Sequence, residues 1–237
     1  MIETDVLVIG GGVMGLSSVN QIPPGLSSIL IEKNSKCGQE ASSRNSEVIH
    51  SGIYYPHGSL KTEHCKVGRN DLYRFCQNNQ IPFRKCGKYV VATSQEEENT
   101  LETLAKHCEY EVVPFQRVSG EWIQNKLEGV NALSALFFPL SGIFDSHQYL
   151  KCLETKAVEK GTTLLTQTEF VKIQDVNPWV VELKEKSNKV LVKTRILINA
   201  SGFNSASLCN QILNVHCYQH RSCRGRYLNV KTRDPKI

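Results

Sequence analysis

Four glycines follow directly on a short β-branched apolar run: Thr4-Asp5-Val6-Leu7-Val8-Ile9 leads into Gly10, Gly11, Gly12 and Gly15. A run of that kind suits a strand buried on both faces of a parallel sheet. The spacing Gly10-x-Gly12-x-x-Gly15 then restricts what can come next. Gly10 permits a tight turn, Gly12 lets backbone approach a diphosphate, and Gly15 lets a helix pack close to the sheet. A helix starting there presents free N–H groups and a partial positive charge to an anion. A second apolar run, Ser27–Glu32, ends in a carboxylate about twenty residues on, where ribose hydroxyls need an acceptor. Strand, glycine turn, helix, strand and acid in this order read as a dinucleotide-binding βαβ unit. The competing reading is a glycine turn in an unrelated α/β protein, with Glu32 an ordinary strand-end acid. Pro23-Pro24 requires the crossover helix to stop by Ile22. The glycines alone do not choose between NAD and FAD.

Downstream, the spacing predicts helices over 60–79, from the Ser94/Glu97 capping box to about His107, over 121–127, and from an Asp145 or Ser146 cap to Glu159. Strands are predicted at 88–92, 136–139, 162–166, 169–175, 179–184, 189–193 and 195–199, and an extended small-residue loop over 40–51. The fold class is α/β, with a second, more antiparallel layer.

Hydrophobic residues at 40% and charged residues at 22% describe an ordinary globular chain, and 237 residues are enough to bury a sizeable core. A net charge of +5 suits an anionic cofactor and substrate. The basic tail Arg221–Lys236 lacks any companion nucleic-acid motif, so no nucleic-acid partner is expected. No apolar run approaches the roughly 18 residues of a membrane span. The first strand begins by Thr4, so no signal or transit segment is expected ahead of the fold. The nine cysteines are scattered, with no C-x-x-C pair, and read as reduced thiols. His216, Cys217, His220 and Cys223 have zinc-ligand chemistry but sit too close together for paired knuckles; no metal is expected.

The stretch Ser43-Arg44-Asn45-Ser46-Glu47-Val48-Ile49-His50-Ser51-Gly52-Ile53-Tyr54-Tyr55-Pro56 resembles the L-2-hydroxyglutarate dehydrogenases, within the glycine oxidase and D-amino-acid oxidase group of flavoproteins. Gly58-Ser59-Leu60-Lys61, Gly87-Lys88, Ser141-Gly142-Ile143-Phe144-Asp145, Ile198-Asn199-Ala200-Ser201-Gly202 and Arg224-Gly225-Arg226-Tyr227 match in the expected order. The resemblance therefore runs over nearly the whole chain. It implies an FAD-binding Rossmann-like domain, of the glutathione-reductase and D-amino-acid-oxidase type, with a mixed-sheet substrate domain. The expected division is 1–85 with 145–212 for FAD, and 86–144 with 213–237 for part of the substrate domain. The family continues well past the Arg-Gly-Arg-Tyr motif, so the substrate domain is expected to be incomplete here. A mitochondrial location follows from the resemblance, with the cytoplasm as the alternative.

The resemblance implies FAD as cofactor, with Gly10, Gly12, Gly15, Glu32, Lys33, Ser43, Arg44, Val171, Ala200 and Gly202 around it. Small residues over 41–46 allow close approach, and the Arg44 fork suits phosphate; its other reading is a solvated surface arginine. Val171 falls where related flavoproteins place backbone contacts to adenine. His50 is the candidate base, or a group that polarises the substrate hydroxyl; the alternative is a histidine satisfied by backbone partners. Tyr54, Tyr55, Arg224 and Tyr227 are candidates to grip carboxylates. The implied reaction is oxidation of a 2-hydroxy acid, L-2-hydroxyglutarate to 2-oxoglutarate, with an unidentified electron acceptor. The alternatives are an amine or amino-acid oxidase of the same group and a non-catalytic remnant.

Overall fold

A computed structural model describes residues 1–127, 129–223 and 225. In chain order the elements are β1 (Ile2–Ile9), α1 (Val13–Asn20), β2 (Ser28–Ile31), β3 (Val48–Ile49), α2 (Leu60–Asn78), β4 (Phe83–Arg84) and β5 (Lys88–Ala92). Next come α3 (Gln95–Tyr110), β6 (Gln116–Ser119), α4 (Gly120–Lys126), β7 (Ser134–Phe138), β8 (Gly142–Phe144) and α5 (Ser146–Glu159). β9 (Thr163–Leu165), β10 (Thr168–Val176), β11 (Trp179–Glu185), β12 (Asn188–Asn199) and α6 (Ser205–Leu213) complete the described chain. They fall into two compact units, Met1–Asn45 with Ser146–Gly225, and a second that begins at Ser46 and runs to Asp145.

The first unit is a six-stranded sheet in the order β10-β11-β12-β1-β2-β9. β12, β1, β2 and β9 are parallel, while β10, β11 and β12 form an antiparallel meander. Side chains alternate along β1. Leu7 and Ile9 pack into a core with Ile29, Ile31, Val181, Leu183 and Val192, capped by Leu208 of α6. On the face used by Val6 and Val8, α1 packs on α5. Asn20 ties the two helices by donating to Leu16 O and Leu153 O, each at 2.8 Å. α1 ends at Asn20, before Pro23-Pro24, because a proline ring cannot continue the ladder.

The second unit holds two three-stranded antiparallel sheets, β3-β8-β4 and β5-β7-β6. α3 covers one face of the latter with Leu101, Ala105 and Cys108 against Leu136 and Phe138. Ile123 of α4 packs near Ala135 on the other. α2 starts at the Ser59 cap, whose hydroxyl accepts from Thr62 N at 3.3 Å.

The short strands β3, β4, β6 and β8 are additions to the expected elements, and three further features differ from the sequence expectations. Strands expected at 189–193 and 195–199 are one strand, β12, which pairs with β11 over Asn188–Thr194 and with β1 over Val192–Asn199. Beyond Thr194 the side of β12 away from β1 has no strand partner among the described residues. Residues 46–85, expected with the cofactor domain, lie in the second unit, because β3 and β4 both hydrogen-bond to β8. α6 was not foreseen. Its Ser205-Ala-Ser start is a poor helix signal, and it is held by Leu208 in the core.

Candidate dinucleotide cleft and catalytic cluster

The glycine turn is shaped by backbone contacts that any side chain would break. Gly10 has φ +109°, and a Cβ there would lie 2.4 Å from Ala200 O. A Cβ at Gly15 would lie 1.9 Å from Gly10 O, so the turn closes directly against α1. Glu32, 8% exposed, braces the turn from the next strand. Its Oε2 accepts from Gly11 N at 2.9 Å, and its Oε1 accepts from Asn34 N and Nδ2, each at 2.8 Å. The acid is thus oriented by charge-assisted bonds, and Oε2, which accepts one of them, keeps acceptor capacity for a further donor.

A cleft of about 340 Å³ opens over this turn. Gly10, Gly12, Glu32, Lys33, Val171, Ala200 and Gly202, all sequence candidates, line it together. Gly15 lies beneath, packing α1 on the turn. Val171 is the extra residue of a bulge: Phe170 lies opposite Leu183 and Lys172 opposite Glu182, which leaves Val171 with no cross-strand counterpart. Bulges are over-represented beside active sites, and they leave the extra residue outside the ladder. Gly202 has φ +57°, and no protein atom lies within 4 Å of a built Cβ, so conformation and not crowding calls for glycine there.

The loop after β2 supplies part of the cleft wall. Ala41 and Ser42 line the cleft, whereas Ser43 and Arg44 do not. Ser43 Oγ donates to Glu40 O at 3.1 Å, and Arg44 is exposed. The 3-10 turn at Ala41–Ser43 rotates Ser42 inward, and its Oγ accepts from Val13 N at 2.9 Å, at the start of α1. Lys33 pairs with Glu40 at 2.7 Å. That bond raises the lysine pKa and lowers the glutamate's.

His50, Tyr54 and Tyr55 belong to the second unit. β3 places Val48 opposite Ile143 and Ile49 opposite Gly142, so two of the blocks carrying the family resemblance are paired strands. Ser51 and Ser141 share a 2.6 Å hydrogen bond. His50 leaves β3 with its backbone carbonyl 3.5 Å from Cys65 Sγ, a weak thiol donor. The structure adds two residues absent from the sequence candidates. Lys61 Nζ lies 4.5 Å from the Tyr55 ring centroid, and Lys88 Nζ lies 4.5 Å from that of Tyr54. Partial burial, then Lys88 and Lys61, hold the His50 pKa below its ordinary value, which favours the neutral imidazole. Both lysines sat in matching blocks, but nothing local in the sequence shows that they converge. Arg224 and Tyr227 lie outside the described residues.

Among the described residues no group of three or more His, Cys, Asp or Glu side chains is arranged to hold a metal. Among the same residues no helix is long and apolar enough to cross a membrane.

Comparison with known proteins agrees with this geometry. The chain is 38% identical over 167 residues to the mitochondrial L-2-hydroxyglutarate dehydrogenase of Arabidopsis thaliana, covering 66% of this chain and 33% of that protein. It is 35% identical over 174 residues to the human mitochondrial enzyme of the same name, covering 72% and 38%. It is 29% identical over 225 residues to the L-2-hydroxyglutarate dehydrogenase of Indibacter alkaliphilus, covering 86% and 51%. The chain thus spans between a third and a half of the length of these relatives. Among solved structures, dithionite-reduced L-alpha-glycerophosphate oxidase from Mycoplasma pneumoniae, with FAD bound, superimposes with a TM-score of 0.82 at 26% identity. That match covers 89% of this chain and 57% of the oxidase. Glycine oxidase from Geobacillus kaustophilus shares the fold, with a TM-score of 0.79 at 18% identity over 90% of this chain and 59% of its own. Residues 5–237 match the family described as FAD dependent oxidoreductase, DAO. The chain is a homologue of the L-2-hydroxyglutarate dehydrogenases and belongs to the DAO family of FAD-dependent oxidoreductases.

Proposed function

We propose that this chain carries the FAD cleft and the catalytic base of a 2-hydroxy-acid dehydrogenase whose substrate is L-2-hydroxyglutarate. One observation carries the reading: the block around His50 folds so that an imidazole, two tyrosines and two lysines share one cluster. A neutral imidazole can take a hydroxyl proton, and cations beside it favour an anionic substrate.

The cleft fits the cofactor. The Gly10 and Gly12 backbone, which a Cβ would crowd, leaves room for a diphosphate. Glu32, braced by Gly11 N, is placed for ribose hydroxyls, and the Val171 bulge offers backbone to the adenine. Lys33, Ala200 and Gly202 complete the wall. Ser42 takes the place the sequence suggested for Ser43, and Arg44, exposed beside it, retains a role only if it reaches a cofactor phosphate. When bound, FAD supplies the hydride acceptor that turns a 2-hydroxy acid into a 2-oxo acid. His50 accepts the hydroxyl proton at its imidazole nitrogen, while Tyr54 and Tyr55 position the carboxylates. The mitochondrial names of the plant and human relatives support a mitochondrial location, checked by imaging the tagged chain in eukaryotic cells.

The test is flavin absorbance of the purified chain, followed by anaerobic titration. Bleaching by L-2-hydroxyglutarate, and none by its D isomer, glycine or sarcosine, is expected. A chain that takes up no flavin, or one bleached by the amines instead, sinks the proposal.

A further inference from the structure

We infer that Lys61 and Lys88, each laid over a tyrosine beside His50, form a carboxylate-recognition pair that selects a dianionic 2-hydroxy acid over a monoanionic one. The inference rests on the reading of the His50 cluster as the substrate-handling part of the chain. Lys61 lies in the first turn of α2 and Lys88 opens β5, so the two ammonium groups come from separate elements. Each Nζ sits 4.5 Å from its ring centroid. Among the described residues neither pairs with a carboxylate, whereas Lys66, Lys189 and Arg117 do. Both positive charges act on the same imidazole.

Two like charges held near one ring, neither of them paired with a carboxylate among the described residues, repel each other and attract an anion. The aromatic faces hold the ammonium groups in position, so less side-chain freedom is lost when a ligand binds. The turn bearing the tyrosines is anchored to α2: Thr62 Oγ1 donates to Pro56 O at 2.9 Å. One lysine is a single point charge. A pair on separate elements therefore counts carboxylates, and a ligand with one carboxylate leaves one ammonium unmatched.

The experiment uses the full chain loaded with FAD and labelled for observation of the His50 imidazole by NMR. Glutarate is the unreactive dianion and butyrate the monoanion. Glutarate is expected to raise the His50 titration midpoint and to bind at least about tenfold more tightly than butyrate, the effect of one charge-assisted contact. Lys61→Gln and Lys88→Gln each bring the glutarate-to-butyrate ratio toward one, while Lys61→Arg and Lys88→Arg retain most of it. Equal binding of the two acids, no binding of either, or glutarate preference retained in both glutamine variants overturns the pair. If glutarate is discriminated but L-2-hydroxyglutarate never bleaches the flavin, the pair stands and the proposed reaction falls. If the flavin bleaches while the glutamine variants keep the dianion preference, the reaction stands and the pair falls.

Discussion

Replacing Gly15 with alanine sets two effects of opposite sign against each other. In a helix interior, alanine gains about 0.5–1 kcal/mol over glycine by restricting the unfolded chain. In α1 the new Cβ would sit 1.9 Å from Gly10 O and 3.4 Å from Leu30 Cδ1. An ordinary carbon–oxygen contact is about 3.3 Å, so the carbonyl must retreat by about 1.4 Å. It has little room, because Gly10 N donates to Ile31 O at 2.9 Å and Ala200 O crowds the other side. Overpacking of this kind costs about 1–3 kcal/mol, occasionally more, and here it falls on backbone that no rotamer change can move. The net expectation is destabilisation by about 1–2 kcal/mol. Gly68, inside α2, is the control: no atom lies within 4 Å of its built Cβ, so Gly68→Ala is expected to stabilise by about 0.5–1 kcal/mol. The chain has two tryptophans, Trp179 in the first unit and Trp122 in the second. Urea unfolding followed by fluorescence in Trp122→Phe and Trp179→Phe backgrounds reads each unit by its own probe. A Gly15→Ala midpoint that rises as Gly68→Ala does would refute the packing argument. So would ADP affinity unchanged in the Gly15 variant, because the carbonyl displaced belongs to the turn that must hold the diphosphate.

Three further outcomes follow from the same geometry. Glu32→Gln replaces a braced carboxylate with an amide at Gly11 N and should weaken ADP binding about tenfold, the scale of one charge-assisted bond; calorimetry showing wild-type affinity would remove Glu32 from the cofactor site. Glu111 is held near pKa about 2 by its bonds to Lys66 and His57, below the unfolded carboxylate value of about 4.3. Its stabilisation is therefore present above about pH 4.3 and is lost as pH falls toward 2, so Glu111→Gln should flatten the acid limb of second-unit stability; an unchanged limb contradicts this. Burial, with Glu154 and Glu32 nearby, pushes the Cys37 thiol up to about 12, whereas Cys86, Cys217 and Cys223 are exposed. Iodoacetamide at pH 8 should therefore label those three well before Cys37, and early Cys37 labelling by mass spectrometry would be inconsistent with its environment.

The βαβ unit was legible from residues alone because every requirement in it is local. Gly10 must adopt a positive φ, Gly15 must lack a Cβ, and Pro23-Pro24 must end the helix, whatever the rest of the chain does. The same holds for caps such as Ser94, whose hydroxyl accepts from Glu97 N at 3.3 Å within a few residues. Even there one detail escaped: the Glu97 carboxylate takes Thr93 N at 2.6 Å, one residue before the cap.

Features settled by tertiary structure depend on partners distant in the chain. Which serine of Ser42-Ser43 faces the cleft is set by a 3-10 turn seated against Val13 N, and side-chain composition is the same for both. The assignment of 46–85 to the second unit rests on β8, nearly a hundred residues beyond β3, and no local pattern encodes that pairing. The Val171 bulge exists only relative to β11. Lys61 and Lys88 read as ordinary basic residues until α2 and β5 bring both charges to bear on His50. The dinucleotide unit was determined by steric rules acting within thirty residues; the chemistry around His50 was decided by which distant segments of the chain fold together within the second unit.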